Sequence, residues 1–338
     1  MRSTGFRLIS LKISDLLEAM TLILDQFVGC MVGLASGDAL GAPYEGGPIE
    51  RLLWKLIGKT KDGHIRWTDD TQMALDLARS LLTDGGVCTK ALASRFASNY
   101  RWSRGYGPGT AKVLKQIRRG AEWQTASKAV YPEGSYGNGA AMRAPVLALF
   151  FTNDEELLLQ SARESSIVTH SHPIGIDAAT MIAMATCLIL HRVDPRELFS
   201  RLIATASTPE IRDRLILASS WIDSNACPAA REVAARLGNG VSAQTSCPTA
   251  IYIAVRHQHE TFEKMIQFTI ACRGDVDTIG AMAGALWGAS AGSSKLPPIM
   301  LESRDEIAGI ATLLFNRYQH NANKSGKDAR QRAPSPDH

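Results

Sequence analysis

The six cysteines include no CxxC pair. That argues against a zinc ribbon or a thioredoxin-type redox centre, and it suits reduced thiols used as small core residues in a cytoplasmic protein. Long hydrophobic runs are also missing. The longest, Ala178–Leu190, falls well short of the roughly 20 residues needed to cross a bilayer. The opening MRSTGFRLISLKISDLLEAM has no unbroken apolar stretch before Asp15, so it lacks the build of a secretory signal. Net charge is only +4, and no basic cluster marks a nucleic-acid surface. Alternating Val/Ile/Thr runs are scarce, which argues against a sheet.

What is present is a globular composition, 45% hydrophobic over 338 residues, enough to bury a core without staples. Apolar residues recur at helical spacing through most of the chain. The pattern predicts helices after Thr71 and over Lys90–Tyr100, Thr110–Arg118, Asp154–Ser165, Ala178–His191, Pro195–Ala204, Pro209–Ser219, Ser246–Arg256, Gly274–Gly292 and Arg304–Tyr318. No repeat and no linker divides them. The expected architecture is all-α, a single compact orthogonal helical domain over residues 20–320. Residues 321–338 hold no apolar side chain larger than Ala or Pro and are expected to be disordered. Residues 1–19 are too apolar for a free tail. They form either a short element packed on the protein's own core or an arm that docks on a partner.

Two acidic clusters carry the chemistry. Thr68-Asp69-Asp70-Thr71 precedes one helix, and Gly274-Asp275-Val276-Asp277-Thr278 opens another. Thr and Asp make good N-caps, and carboxylates suit the positive end of a helix. Capping needs one such residue per helix, and paired carboxylates at two helix starts exceed it. Crowded carboxylates repel unless a cation lies between them. Ligands of Asp and Thr oxygen suit a hard ion, Mg²⁺, Mn²⁺ or Ca²⁺, over Zn²⁺. Four aspartates can neutralise two such ions.

Three loops add to this. In Gly37–Glu45, Glu45 is either a movable acid or a solvated loop carboxylate. Gly134–Arg143 (GSYGNGAAMR) is either a turn or a loop whose backbone N–H groups hold a diphosphate. Thr169–Pro173 carries two of the eight histidines.

The segments GCMVGLASGDALGAPYE, WTDDTQMAL, RGYGPGT, SYGNGAAMRAPVLAL, THSHP and GDVDTIGAMAGALWGA occur in one order. With them the chain resembles the ADP-ribosylglycohydrolases, the group that includes the dinitrogenase reductase-activating glycohydrolases, from about Thr21 to Tyr318. The resemblance implies a helical fold around a dinuclear Mg²⁺ or Mn²⁺ centre. It implies metal ligation by Thr68, Asp69, Asp70, Asp275, Asp277 and Thr278. Glu45 matches a mobile acidic-loop residue. Gly137, Asn138 and Gly139 match a phosphate loop, and His170 a substrate-side histidine. Tyr106 is either near the nucleotide or a packing aromatic. The extension before Met20 departs from the family pattern.

The implied reaction removes ADP-ribose from a modified protein side chain. A metal-activated water attacks ribose C1″ through an oxocarbenium-like transition state, with Asp69 or Asp70 on the water and Glu45 on the acceptor. Within the family, acceptors include arginine, serine and small conjugates, and the GDALGAPYE and THSHP loops favour arginine. Some relatives are immunity proteins, so the 1–19 arm could instead occlude an ADP-ribosylating toxin. Two rival motifs are weaker. Gly288–Gly292 (GASAG) fits a hydrolase elbow but lies within a helical pattern. Asp275–Thr278 has a phosphatase-like look only if the preceding QFTIAC is a strand.

Overall fold

The computed structural model describes the backbone of residues 13–332 and the side chains of 24–320 apart from Glu50. In chain order the helices are α1 (Ile13–Gly41), α2 (Pro48–Ile57), α3 (Asp69–Asp84), α4 (Thr89–Asn99), α5 (Pro108–Arg118), α6 (Trp123–Val130), α7 (Pro145–Phe151) and α8 (Glu155–Ile167). There follow α9 (Pro173–Leu190), α10 (Pro195–Thr205), α11 (Pro209–Asp223), α12 (Ala230–Arg236), α13 (Ala243–Arg256), α14 (Phe262–Cys272), α15 (Val276–Ala291) and α16 (Arg304–Arg332). Among the described residues there is no strand, only isolated bridges such as Gly137 to Ser242. The all-α expectation holds.

Local signals set many of the helix starts. Proline opens α5, α7, α9, α10 and α11, where its missing N–H costs nothing. Asp154 caps α8 by accepting from the Leu157 N–H at 2.9 Å. QFTIAC is the last part of α14, so the strand that a phosphatase-like reading requires is absent there. GASAG runs through the end of α15, with Gly292 just beyond it, and makes no nucleophile elbow.

The spine is the antiparallel pair α1 and α15. Glycines face each other along it at four-residue intervals. A methyl on Gly33 would sit 2.3 Å from the Gly284 carbonyl oxygen, and one on Gly37 only 1.9 Å from that of Gly280. No side chain fits between these backbones. At the end of the seam, a methyl on Gly41 would lie 2.6 Å from the Asp277 Cα. The C-terminal end of α1 is therefore locked onto the N-terminal end of α15. Around this spine, α13 and α14 pack on α15, α16 packs on α1, and α9 lies among α7, α8 and α13. By length and hydropathy α9 could cross a membrane, but 72% of it is buried inside the fold. It is a core helix here.

Two terminal readings meet the structure differently. Helix α16 continues to Arg332, where disorder was expected from Asn321. That stretch is polar, and a helix already nucleated by its packed first turns propagates at one hydrogen bond per residue. The 1–19 arm lies outside the described residues as far as Lys12, and from Ile13 its backbone is the first part of α1. The cysteines are free, with Cys88 and Cys227 exposed and the other four buried.

The seam yields a test. Gly33→Ala should lower stability by about 1–3 kcal/mol, the usual cost of overpacking. Gly309→Ala, in α16 with open space around it, should be neutral or stabilising by up to about 1 kcal/mol. Chemical denaturation of both variants checks the contrast. Equal effects would mean the seam is not tight.

Candidate active site

Asp38, near the end of α1, is fully buried. Its carboxylate accepts from the Thr68 N–H at 2.9 and 3.0 Å and from the Thr71 N–H at 3.1 Å, and it also takes the Thr71 hydroxyl. One aspartate thus pins the whole first acidic motif to α1. Thr68 caps α3, its Oγ1 accepting from the Asp70 N–H at 3.3 Å. On the other side, the Arg104 guanidinium stacks 3.4 Å from the Trp67 ring centroid and donates to the Trp67 carbonyl at 2.7 Å. Glu302 pairs with that guanidinium through both carboxylate oxygens.

The two acidic motifs meet. The Thr278 hydroxyl donates to Asp70 Oδ1 at 3.3 Å, across 208 residues of chain. Asp277 Oδ1 accepts from the Thr278 N–H at 2.8 Å. Asp275 is held by the Asn138 side-chain amide, which also donates to Ser246 Oγ at 3.0 Å. Glu45, on the loop after α1, joins them: one oxygen from each of Glu45, Asp275 and Asp277 lies within 4.8 Å of the others. The N-termini of α3 and α15 both face this cluster, and their positive ends favour negative charge there.

Burial and mutual repulsion shape the electrostatics. Burial, and then the charges of neighbouring carboxylates, push Asp69, Asp70 and Asp277 well above the ordinary carboxylate range. Burial also raises Asp38 and Asp275, each to about 6, against opposing hydrogen bonds from Thr71 and Asn138 respectively. Asp70 Oδ2 is buried and has no hydrogen-bond partner. An orphaned carboxylate oxygen inside a cluster of acids is what a bound cation would satisfy. The oxygen-rich donor set fits a hard divalent metal.

The cluster floors a cleft of about 230 Å³ whose walls include Gly107, Pro108, Tyr131, Gly137, Gly139 and His170. A wider hollow of about 670 Å³ lies beside Trp287 and His259, towards the other end of α15. Glu260 and Glu263 line it, but among the described residues the acids that gather in a group of three are Glu45, Asp275 and Asp277, so the chemistry belongs to the smaller cleft. Of the residues singled out in the sequence, Glu45, Asp69, Asp70, Gly137, Asn138, Gly139, His170, Asp275, Asp277 and Thr278 all line it. Thr68, the buried cap of α3 next to Asp69, borders a neighbouring apolar groove with Leu53 and Trp102. The Tyr106 ring is buried against Tyr100 at 4.9 Å, while its neighbours Gly105 and Gly107 reach the cleft. The phosphate loop is less open than its glycines suggest: the Gly137 N–H goes to Ser135 Oγ and the Asn138 N–H to the Val241 carbonyl. Sequence reasoning missed Asp38 as an anchor. Its signal was an acidic residue one turn before the end of an apolar, glycine-spaced helix.

The fold and this cleft define an all-helical protein with an acidic, metal-suited centre between two helix N-termini. A family model for ADP-ribosylglycohydrolase matches residues 19–324, and the chain belongs to that family. It is 31% identical to ADP-ribosylhydrolase ARH3 of Danio rerio, over 90% of this chain and 95% of that protein. It is 30% identical to the ADP-ribosyl-[dinitrogen reductase] glycohydrolase of Rhodospirillum rubrum, over 83% of this chain and 90% of the other. A solved ADP-ribosylglycohydrolase-related protein complex superposes with a TM-score of 0.65 at 26% identity, covering 88% of this chain and 99% of that one.

The raised carboxylates make metal binding and stability pH-dependent. Without metal, the folded protein retains protons that the unfolded chain sheds above about pH 4. Its stability therefore falls as the pH rises through about 6, where Asp38 and Asp275 ionise. A divalent ion binds the ionised form and reverses that loss. The rise in Tm on adding Mg²⁺ should be larger at about pH 8 than at about pH 5.5. A rise independent of pH would contradict a carboxylate site.

Proposed function

We propose that this protein hydrolyses the bond between ribose C1″ of ADP-ribose and a modified protein side chain, with arginine as the acceptor. The observation that carries the reading is the meeting of Asp70 and Thr278 around an unsatisfied buried carboxylate oxygen. Thr68, Asp69, Asp70, Asp275, Asp277 and Thr278 would hold two divalent cations, Mg²⁺ or Mn²⁺. Bound there, such cations would supply Lewis acidity to activate water for attack.

The chain's own residues do the rest. Asp69, only partly buried on the cleft floor, is placed to orient water and take its proton. The C1″–N bond breaks as a C1″–O bond to water forms, and the proton ends on the departing guanidine. Positive charge builds on the ribose ring in between, above a floor of carboxylates. Glu45, half-buried on its loop, faces the acceptor side, where a carboxylate complements a guanidinium. Gly137, Asn138, Gly139 and His170 form the wall that takes the diphosphate.

Two measurements test this. Asp277→Ala should cut turnover by at least about a hundredfold while the far-ultraviolet circular dichroism keeps its helical signal. Full activity in that variant would end the proposal. Release of free ADP-ribose should be seen from arginine-linked peptides in the presence of Mg²⁺ or Mn²⁺. Release from serine-linked but not arginine-linked peptides would overturn the choice of acceptor and leave the hydrolase standing.

A further inference from the structure

Beneath the phosphate loop lies a cation that the reaction does not obviously need. Arg143 is completely buried. Its Nη1 donates to the Gly139 carbonyl at 2.7 Å. Its Nη2 donates to the Ser165 carbonyl at 2.8 Å and to Thr169 Oγ1 at 3.0 Å. The guanidinium lies 4.9 Å from the Phe96 ring centroid, and its Nε has no partner. Among the described residues no carboxylate pairs with it. A buried cation without a counter-ion is costly to keep, and burial lowers this one to about 9.

The hydrogen bonds that Arg143 makes have a direction. A guanidinium only donates, so Thr169 Oγ1 must accept from it. Thr169 Oγ1 also lies 2.8 Å from His170 Nδ1, and among the described residues its hydroxyl has no other acceptor. Donation to Nδ1 is the arrangement that leaves no buried hydroxyl proton unsatisfied. With Nδ1 accepting, the ring proton of the neutral imidazole must sit on Nε2. Burial and the nearby Arg143 charge depress His170 to about 3, in keeping with a neutral ring.

Geometry sets where that proton points. A methyl on Gly139 would lie 2.6 Å from His170 Cε1 and 2.9 Å from Nε2, and one on Gly137 would lie 3.3 Å from Nε2. The Nε2 edge of the ring is thus pressed against the two glycines of the phosphate loop, on the wall of the cleft. Two of the loop's N–H groups are already spent inside the protein. A side-chain donor at this place adds to what the loop has left.

We propose that Arg143 and Thr169 are positioning residues that hold His170 as a neutral ring protonated on Nε2, aimed along the phosphate loop to donate to a diphosphate oxygen of the ligand. Arg143 fixes the loop through the Gly139 carbonyl and fixes the tautomer through Thr169. The inference rests on ADP-ribose being the ligand, as proposed above.

The test uses the full chain with ¹⁵N-labelled histidine and long-range ¹H–¹⁵N correlation spectra. Wild-type His170 should show a bare Nδ1 and a protonated Nε2 as a single tautomer. Thr169→Val keeps the shape but removes the hydroxyl, and should leave an exchanging mixture. The same variant should weaken ADP-ribose binding, measured by calorimetry with Mg²⁺ present, roughly tenfold, as expected for one lost hydrogen bond. Its KM should rise similarly with kcat nearly unchanged, and Thr169→Ser should restore both. His170→Gln, whose amide can reach the Nε2 position, should bind ADP-ribose better than His170→Asn. A wild-type ring protonated on Nδ1, or unchanged ADP-ribose affinity in Thr169→Val, would overturn the proposal. If the wild type neither binds nor releases ADP-ribose, the proposed function falls and with it the diphosphate as the ring's partner, while the spectra still decide whether the tautomer is held.

Discussion

Two helices that touch backbone to backbone set the geometry of everything else. Along α1 and α15, glycine faces glycine with no room for a methyl group. This close approach removes the freedom that side chains would leave in the seam. Because the helices run antiparallel, the end of one meets the start of the other. Asp38 comes from the first and Glu45 from the loop that follows it, while Asp275, Asp277 and Thr278 come from the start of the second. A slip of one turn, about 5.4 Å, would carry Asp277 away from Gly41 and break the cluster. The glycines therefore act on chemistry while touching no substrate.

That geometry concentrates negative charge in a place with little water. The protein meets the cost in several ways. Two helix N-termini point at the cluster, and Asp38 is saturated with backbone and hydroxyl donors. Asn138 and Thr278 steady individual carboxylates. What remains unmet is concentrated at Asp70, whose second oxygen has no partner. The raised carboxylates and this orphan atom describe one need, for positive charge supplied from outside the chain. On the cleft's wall the balance is opposite. Among the described residues Arg143 is a buried cation whose charge is not met by any acid, and it lies beneath the glycine loop at 137–139. The cleft therefore has crowded acids on its floor and a buried cation behind one wall.

Much of this was readable along the chain where the signal is local. The TDDT and DVDT clusters were read as standing at helix starts, and both do. The glycine loop at 137–139 and His170 were singled out along the chain and do line one cleft, but the Gly137 and Asn138 N–H groups are bonded within the protein. Asp38 escaped notice because a single aspartate near a helix end has many ordinary uses. Tyr106 shows the converse: its Gly-Tyr-Gly setting drew attention to the ring, and it is the glycines that reach the cleft.

The sequence by itself determined the helical class and the chemical types at the site, because periodicity, capping and ligand hardness depend on neighbouring residues. Only the tertiary structure decided that Asp70 and Thr278 touch, that one carboxylate oxygen is stranded, and that Thr169 lies between Arg143 and His170. Those are distances between segments remote in the chain. They are set by how closely helices can pack, and no local pattern encodes them.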